Sequence, residues 1–450
     1  MKGKEFDVFV IGTGTAGKTV AYAAAENGLK VAIADDREYG GTCAIRGCDP
    51  KKVLYGFTEV LQHAKNLQGK GITKLPEVDW ATVQKFKKMF TEAIPAATER
   101  DLREAGIELY HQSPKFLNEN TLSVEGKTVR AKTIVIATGL RPRDLNIPGE
   151  EHFNISEDFM ELAELPEAMI FVGGGYVGME QAHMAARMGV DVTIIERESR
   201  PLAPFDEDMA ALLVKSSEEI GISFVFDAEV TKLELLRKHI RVHYKKGKAT
   251  ATIKAPMVFN TSGRVPAIEK LDLEKGNVAF EANGIMVNAY LQSTTNSSVY
   301  ACGDVSASGA PPLTPLSSQE ARIVVKNALE KKRVKATFPP IPSVVFTIPQ
   351  LASVGLTEAE AKKQGFSVRV ESKEVPKWFN AKRMNQSFYA YKTIVDTDSN
   401  KILGAHILAE QAGEMINLFA MAMSANFTCE QFKGQLLAYP TWGNDVRGMV

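Results

Sequence analysis

The chain carries two glycine-rich turns, each of which follows an apolar strand and opens a helix. The first contains Gly12, Gly14 and Gly17. In this spacing the first glycine permits a tight turn, the second lets the backbone approach a pyrophosphate, and the third lets the helix pack close to the strand. Asp35 ends the next strand, where a carboxylate accepts hydrogen bonds from a ribose. The segment therefore predicts a βαβ unit that binds a dinucleotide.

The second turn contains Gly173, Gly175 and Gly178, and Glu196 ends the strand that follows it. One such turn is weak support for a nucleotide site, but two in full βαβ context predict two sites. A chain with both usually passes hydride between a nicotinamide and a flavin. Glu196 favours NAD(H) because its charge would repel a 2′-phosphate, and two nearby arginines leave NADP(H) as the alternative.

The first turn also fits another phosphate-binding pattern. It matches G-x-x-x-x-G-K-[ST], the loop of NTPases, with Lys18 and Thr19 in the reactive positions. The spaced glycines and Asp35 favour the dinucleotide interpretation, and no convincing strand that ends in a Mg²⁺-holding Asp stands nearby. An NTPase loop and a glycine-rich turn without a ligand are the alternatives.

Two cysteines separated by four residues, Cys43 and Cys48, come shortly after the first βαβ unit. Pro50 suits the first turn of a helix, so Cys48 is expected at the positive end of that helix, where a thiolate is stabilised. Lys51 and Lys52 add positive charge nearby. This setting favours a redox-active dithiol.

The alternatives for this pair are a structural disulfide, a zinc site and two inert buried thiols. A structural disulfide is disfavoured in a chain with four cysteines and no signal peptide. Zinc needs four suitably spaced ligands, and Cys302 and Cys429 are isolated, without an adjacent His, so no metal site is predicted. Cys302 and Cys429 are expected to be ordinary buried residues.

Together these motifs resemble those of the pyridine nucleotide–disulfide oxidoreductases, the family of glutathione reductase, dihydrolipoamide dehydrogenase and mercuric reductase. The resemblance covers essentially the whole length, and the motifs stand in the family's order. After the two glycine-rich turns, they are G-G-T-C-x4-C-x-P at 40–50, I-A-T-G at 136–139, T-S-G-R-V-P at 261–266, Y-A-C-G-D at 300–304, L-T-P at 313–315, and the C-terminal runs 344–347, 352–357 and 412–416.

The resemblance implies an α/β fold with two Rossmann-like dinucleotide-binding domains plus an α+β C-terminal dimerisation domain. The expected FAD-binding domain comprises residues 1–148 and 265–332, the NAD(P)-binding domain residues 149–264, and the dimerisation domain residues 333–450. A homodimer with FAD and NAD(P)H is implied. A Met- and Ala-rich helix at 409–425 is expected at the dimer interface, with a core position as the alternative.

Residue roles follow from the same resemblance. Cys48 would be the charge-transfer cysteine beside the flavin, and Cys43 the interchange thiol that faces substrate. Lys52, or the lysine before it, would lie near the flavin N5 and pair with Glu180. Tyr176 would gate the nicotinamide pocket, and its spacing of four from Glu180 puts both on one helix face. A solvated helix position is the alternative for Glu180. Further cofactor contacts are implied for Thr42, Thr138, Gly139, Gly263, Arg264, Gly303 and Asp304, the last of which binds the ribityl chain in the family.

The C-terminal segment departs from the family pattern, which reads roughly His-Pro-x-x-x-Glu. Tyr439 replaces the His, Asn444 replaces the Glu, and no His follows His406. A phenol titrates near about 10 and an imidazole near about 6.5, so deprotonating Tyr439 at neutral pH costs roughly 5 kcal/mol more. Ordinary dithiol turnover should therefore be slower or use another proton donor. Asp445 is one place late for the position of the Glu.

We therefore expect an FAD-dependent NAD(P)H oxidoreductase that passes hydride to a Cys43–Cys48 disulfide and on to a disulfide-type or other small-molecule substrate. The alternative is reduction of a metal ion or a quinone on the same scaffold, where no leaving thiol needs a histidine acid. A binding or NTPase role without redox turnover ranks third.

Composition limits the partners. A formal net charge of zero over 450 residues and the lack of a basic block argue against nucleic acid and anionic membranes. No apolar run reaches the roughly eighteen residues of a membrane span. With few cysteines and no targeting segment, a reducing cytoplasm is expected.

Overall fold

The computed structural model of the protein describes residues 4–330 and 332–450. They form two compact units, each built from three stretches of chain. Unit one comprises the described part of Met1–Val53 with Gln84–Arg143 and Arg264–Thr337, and unit two comprises Leu54–Val83, Asp144–Gly263 and Phe338–Val450. The stretch Leu54–Val83 thus clusters with unit two, although the sequence analysis places it in the first FAD segment. The three predicted domain boundaries stay predictions.

The first third of the chain alternates strands and helices. Its strands are β1 (Lys4–Ile11), β2 (Val31–Ala34), β3 (Glu108–Tyr110), β4 (Lys115–Asn118), β5 (Thr121–Val124), β6 (Lys127–Ile136) and β7 (Leu140–Pro142). Its helices are α1 (Thr15–Glu26), α2 (Gly41–Arg46), α3 (Cys48–Asn66), α4 (Trp80–Thr91) and α5 (Ile94–Glu104).

The middle of the chain repeats this alternation and then returns to unit one. The strands of the repeat are β8 (Ala168–Val172), β9 (Asp191–Ile195), β10 (Ile222–Val225), β11 (Ala228–Leu235), β12 (Ile240–Lys246), β13 (Ala249–Ala255) and β14 (Met257–Asn260). Its helices are α6 (Ser156–Met160), α7 (Tyr176–Arg187) and α8 (Glu207–Glu219). The return contains β15 (Arg264–Pro266), β16 (Phe280–Glu281), β17 (Gly284–Ile285), β18 (Val299–Ala301) and α9 (Thr314–Val324).

The C-terminal stretch is a sheet with helices. Its strands are β19 (Ser343–Val345), β20 (Gln350–Gly355), β21 (Val368–Glu374), β22 (Ala390–Asp396) and β23 (Ile402–Ala409). Its helices are α10 (Glu358–Lys363), α11 (Phe379–Arg383), α12 (Ala412–Ser424), α13 (Cys429–Lys433) and α14 (Trp442–Asp445).

The main sheet of unit one has the order β3-β2-β1-β6-β5-β4, with β18 paired to β6. β1 runs parallel to β2 and β6, and Val10 pairs with Ile33 and with Val135. β18 is also parallel to β6. The carboxyl ends of these four strands therefore meet at one edge, which is where open α/β sheets bind ligands.

Unit two contains a parallel sheet, β10-β9-β8-β14, and two antiparallel sheets, β11-β12-β13 and β19-β20-β23-β22-β21. Both predicted βαβ units are present, and the predicted fold class is confirmed. The Met-rich helix is α12, which buries Met415, Ile416 and Phe419 and leaves Met421 69% exposed. Its place at a dimer interface stays a prediction. None of the described helices is both long and apolar enough to cross a membrane.

A buried cation links α8 to the five-stranded sheet within unit two. The side chain of Lys392 is 8% exposed, and its Nζ lies 3.2 Å from Asp206, 2.8 Å from Asp208 and 3.1 Å from Glu358. Burial lowers the pKa of Lys392, but its hydrogen bonds to the carboxylates outweigh burial and hold that pKa above its usual value. The ammonium is therefore charged and paired at neutral pH.

Lys392→Met should cost about 3–5 kcal/mol of the free energy of unfolding, because it leaves the almost fully buried Asp206 facing two other carboxylates without a cation. Urea unfolding followed by circular dichroism measures this loss. Lys373→Met, which removes an exposed ion pair of the same sheet, is the matched control and should cost less than about 1 kcal/mol. Equal losses in the two variants would contradict the argument.

Candidate functional site

A cavity of about 360 Å³ lies in unit one, at the edge of the sheet where the parallel strands end. It is lined by the turns that follow β1, β2, β6 and β18 and by the start of α2. Many predicted cofactor and cysteine residues meet there: Gly12, Gly14, Asp35, Thr42, Cys43, Thr138, Gly139, Arg264, Gly303 and Asp304. The structure thus brings these side chains to one place, and their individual roles remain proposals.

The first glycine-rich turn faces this cavity. Gly12 has φ +106°, and a Cβ there would lie 2.3 Å from the carbonyl oxygen of Ala137. Any other residue would therefore strain the backbone and clash with that oxygen. Because α1 begins just after Gly14, its first N–H groups remain for a ligand. Asp35 accepts hydrogen bonds from the backbone N–H of Thr13 at 2.8 Å and from its hydroxyl at 2.6 Å, which orients the carboxylate.

The opposite wall suits a polar ligand with hydroxyl groups. In the described chain the buried Thr138 Oγ1 has no hydrogen-bond partner, although it belongs to the cavity wall. Burial raises the pKa of Asp304, against the charge of Arg264 and a 3.2 Å hydrogen bond from Ser317. A buried acceptor and an orphaned hydroxyl are groups that a bound dinucleotide would satisfy, so these residues fit FAD.

The cysteine segment packs directly on the nucleotide turn. Gly41 has φ +80°, and a Cβ there would lie 2.4 Å from the Cα of Gly14. This close approach requires glycine at position 41. It places α2 against the start of α1, so that Cys43 lines the same cavity as Gly14.

The two thiols are inequivalent. Cys48 is the first residue of the nineteen-residue helix α3, as expected for a thiolate at a helix N-terminus. A hydrogen bond from Cys43, with help from Thr314 and the charge of Lys51 and against burial, lowers the pKa of Cys48 to about 6. The same hydrogen bond, with burial, raises the pKa of Cys43. Cys48 therefore carries the negative charge, and Cys43 keeps the proton.

Thr314 is a site residue that the sequence analysis did not assign. Its hydroxyl donates a hydrogen bond to Cys43 Sγ at 3.3 Å and lies 3.8 Å from Cys48 Sγ. Thr314 is the first residue of α9, with Pro315 after it. The L-T-P run marks this helix start in the sequence, but nothing local connects the hydroxyl with cysteines far away in the chain.

The second glycine-rich turn lies in unit two. Glu196 accepts the backbone N–H of Gly174 at 2.6 Å and that of Glu198 at 2.9 Å, so its carboxylate is held at the end of β9. Tyr176 opens α7 and is 45% exposed, as a gate would need to be.

The alternative that Glu180 is a solvated helix position is wrong, because only 4% of the residue is exposed. Its carboxylate accepts the backbone N–H of Phe346 at 2.8 Å. Lys52 belongs to unit one and Glu180 to unit two, so their pairing stays a prediction. Cys302 and Cys429 are buried, as expected.

The C-terminal segment presents Tyr439 to solvent, with 75% of its surface exposed. The Asp445 carboxylate is hydrogen-bonded to residues other than Tyr439: it accepts hydrogen bonds from Asn380 at 3.1 Å and from the Tyr389 hydroxyl at 3.0 Å. Burial raises the pKa of Asp445. Asp445 therefore anchors this segment, and the role of the exposed Tyr439 in place of the family's His stays a prediction.

Thr314→Val should raise the pKa of Cys48 above about 6, because the hydroxyl that stabilises the thiolate is lost. The titration of the reduced protein, followed by thiolate absorbance and by the pH dependence of alkylation at Cys48, should move to higher pH. Ser317→Ala is the control, since it removes a hydroxyl of the same helix that contacts Asp304. An unmoved titration in Thr314→Val would show that the contact has no electrostatic effect.

Comparison with known proteins accounts for almost all of the chain. Residues 6–321 match the family model described as pyridine nucleotide-disulphide oxidoreductase, and residues 341–450 match the model of its dimerisation domain. The mercuric reductase of Staphylococcus aureus is 30% identical over 448 residues, which cover 98% of this chain and 81% of that protein. The glutathione reductase of Burkholderia cepacia is 30% identical over 98% of this chain and 97% of its own length.

A solved structure is also similar. It is the Cu(II) complex of the HOCl-induced flavoprotein disulfide reductase RclA from Escherichia coli. The two chains superpose with a TM-score of 0.88 and share 28% identity, over 99% of each. The curated relatives and the solved structure thus cover both units.

Proposed function

Because the chain belongs to the pyridine nucleotide-disulphide oxidoreductase family, we propose that it transfers electrons from NADH through FAD and the Cys43–Cys48 pair to a disulfide substrate. The thiol geometry carries this proposal: two cysteines share one hydrogen bond, one hydroxyl contacts both, and one of them opens a helix. FAD, when bound, accepts the hydride of NADH and supplies two electrons to the protein disulfide.

The protein's own groups determine how charge and proton are distributed over the two reduced sulfurs. Two electrons break the Cys43–Cys48 bond, and one proton is taken up by Cys43. The lowered pKa leaves Cys48 as the thiolate, stabilised by α3 and Thr314. Cys43 is the proposed interchange thiol: it attacks the substrate sulfur and passes its proton to the leaving sulfur, which forms a mixed disulfide and releases a thiol. Cys48 then attacks Cys43, restores the disulfide and releases the second sulfur as a thiolate, which takes up a proton.

NADH is the proposed donor because the arginines near Glu196 are engaged elsewhere. Arg197 pairs with Glu198 at 3.0 Å. Arg200 donates to the backbone carbonyls of Pro201, Leu202 and Ala203 at 3.3, 3.1 and 2.9 Å. A 2′-phosphate would thus meet the carboxylate of Glu196 before it met a guanidinium. We place the reaction in the reducing cytoplasm, where a dithiol is regenerated.

Anaerobic titration with NADH should produce a long-wavelength absorbance band in the wild-type protein. Cys43→Ser, which has no disulfide to reduce, should show the band before NADH is added, and Cys48→Ser should not show it. The physical reason is that only Cys48 has a lowered pKa, so only this sulfur would be a thiolate that interacts with the flavin. NADPH should give the same spectrum only at higher concentration. A band that survives in Cys48→Ser, or equal effectiveness of the two nucleotides, would contradict the corresponding assignment.

A metal ion is the second candidate substrate, and the exposed Tyr439 favours it. Disulfide reduction releases a thiolate that needs an acid, whereas Hg²⁺ or Cu²⁺ needs only electrons and thiolate ligands. Two electrons reduce one Hg²⁺ or two Cu²⁺ ions. The similar proteins include mercuric reductases and structures solved as Cu(II) complexes. The proposed homodimer would bring Tyr439 to the thiols of the partner subunit.

Tyr439→Phe separates the two substrates. If the phenol donates a hydrogen bond to a leaving thiolate, kcat/KM for a disulfide such as 5,5′-dithiobis(2-nitrobenzoate) should fall about tenfold or more. The rate with Cu²⁺, followed anaerobically through a Cu⁺ chelator, should stay unchanged. Tyr244→Phe on β12 is the control. Unchanged disulfide turnover in Tyr439→Phe would remove the phenol from the mechanism.

A further inference from the structure

Helix α7 carries a row of buried and partly buried polar side chains after the second nucleotide turn. Glu180, His183 and Arg187 follow one another at helical spacing, so they share one face of the helix. This face meets residues 346–349, which we call the strap and which connect β19 to β20. All of these residues belong to unit two.

The strap is held to this face by its backbone. Its Phe346 N–H donates to Glu180 at 2.8 Å, and its Ile348 N–H donates to Nδ1 of His183 at 3.3 Å. In return, Arg187 Nη2 donates to the carbonyl oxygen of Ile348 at 2.5 Å. Arg187 also reaches Gln62 at 3.0 Å and His183 Nδ1 at 3.1 Å.

The hydrogen bonds determine the tautomer of His183. Its Nδ1 accepts from a backbone N–H, so the ring hydrogen must lie on Nε2. Nε2 lies 2.8 Å from Ser217 Oγ, whose own hydrogen is donated to Leu213 at 2.7 Å. Burial and the charge of Arg187 hold the pKa of His183 well below its usual value. The imidazole is therefore a neutral acceptor, with its basic side toward the strap.

We propose that His183 and Arg187 are positioning residues for hydride transfer, which hold the strap so that its Phe346 N–H orients the Glu180 carboxylate one helical turn from Tyr176. The inference rests on the proposed function, since it requires nicotinamide to bind beside Tyr176. His183 and Arg187 touch neither substrate nor cofactor in this scheme. They act through the strap, and an error of about 1 Å in such a position can slow a reaction by about a hundredfold.

The experiment compares variants of the full-length FAD-loaded protein that separate the two sides of the imidazole. His183→Asn keeps an acceptor oxygen at the place of Nδ1, and His183→Gln keeps a donor at the place of Nε2 and loses the acceptor. Ser217→Ala removes the partner of Nε2 alone and controls for a purely structural role. Arg187→Lys keeps the charge but cannot reach both Ile348 and Gln62, and replaces His183→Gln if that variant fails to fold.

Two measurements decide the question. The first is hydrogen exchange of the Phe346 and Ile348 amides, which needs no turnover. The second is the rate of flavin bleaching at saturating NADH in a stopped-flow instrument. In His183→Gln we expect the Phe346 and Ile348 amides to exchange faster. We also expect its flavin to be bleached at least about tenfold more slowly, with an unchanged NADH dissociation constant. His183→Asn should stay close to the wild type, and Ser217→Ala should lose thermal stability but not rate.

The outcomes distinguish this inference from the proposed function. The acceptor at Nδ1 does not position the Glu180 carboxylate if the flavin of His183→Gln is bleached as fast as that of Ser217→Ala. The same conclusion follows if the flavin of His183→Asn is bleached as slowly as that of His183→Gln. If wild-type flavin is not bleached by NADH at all, the proposed function fails, while the exchange comparison still tests the strap. Reaction of the dithionite-reduced variants with a disulfide should be unchanged, because that step uses Cys43 and Cys48.

Discussion

The contact between Gly14 and Gly41 is the constraint on which the redox site depends. No side chain fits between these two backbones, since a Cβ on Gly41 would lie 2.4 Å from the Cα of Gly14. The contact joins a nucleotide turn, whose free N–H groups attract phosphate, to the short helix that carries Cys43. Cys43 and the first nucleotide turn therefore line one cavity, which is where the proposed FAD would bind.

The proposed direction of electron flow rests on an asymmetry between the two sulfurs. Cys48 opens a long helix and has a lowered pKa, whereas Cys43 lies in a short helix and has a raised one. A reduced pair in this setting has one charged and one protonated sulfur. The charged sulfur belongs to an exposed residue at a helix N-terminus, and the protonated sulfur lines the cavity. Thr314 contacts both sulfurs and lowers the pKa of each, so the division comes from the hydrogen bond between the two cysteines.

Unit two uses one helix for two purposes. The N-terminus of α7 forms the second nucleotide turn, and its buried face binds the strap from the C-terminal stretch. The dimerisation domain thereby contacts the element that would position nicotinamide. A neutral imidazole and a buried guanidinium make this contact specific, because an unpaired polar group at such a place would be costly. The departure from the family's C-terminal pattern lies in the same unit, at the exposed Tyr439.

Local patterns in the sequence determined both βαβ units, the helix start at the cysteines and the family, because glycine spacing, apolar runs and helix caps act between near neighbours. Asp35 and Glu196 were found for the same reason. Tertiary structure alone decided that Thr314 contacts Cys43, 271 positions away, that Phe346 binds Glu180, and that Asp445 is occupied by Tyr389. Such contacts depend on how separate elements pack, and no spacing along the chain encodes the distance between two side chains that only folding brings together.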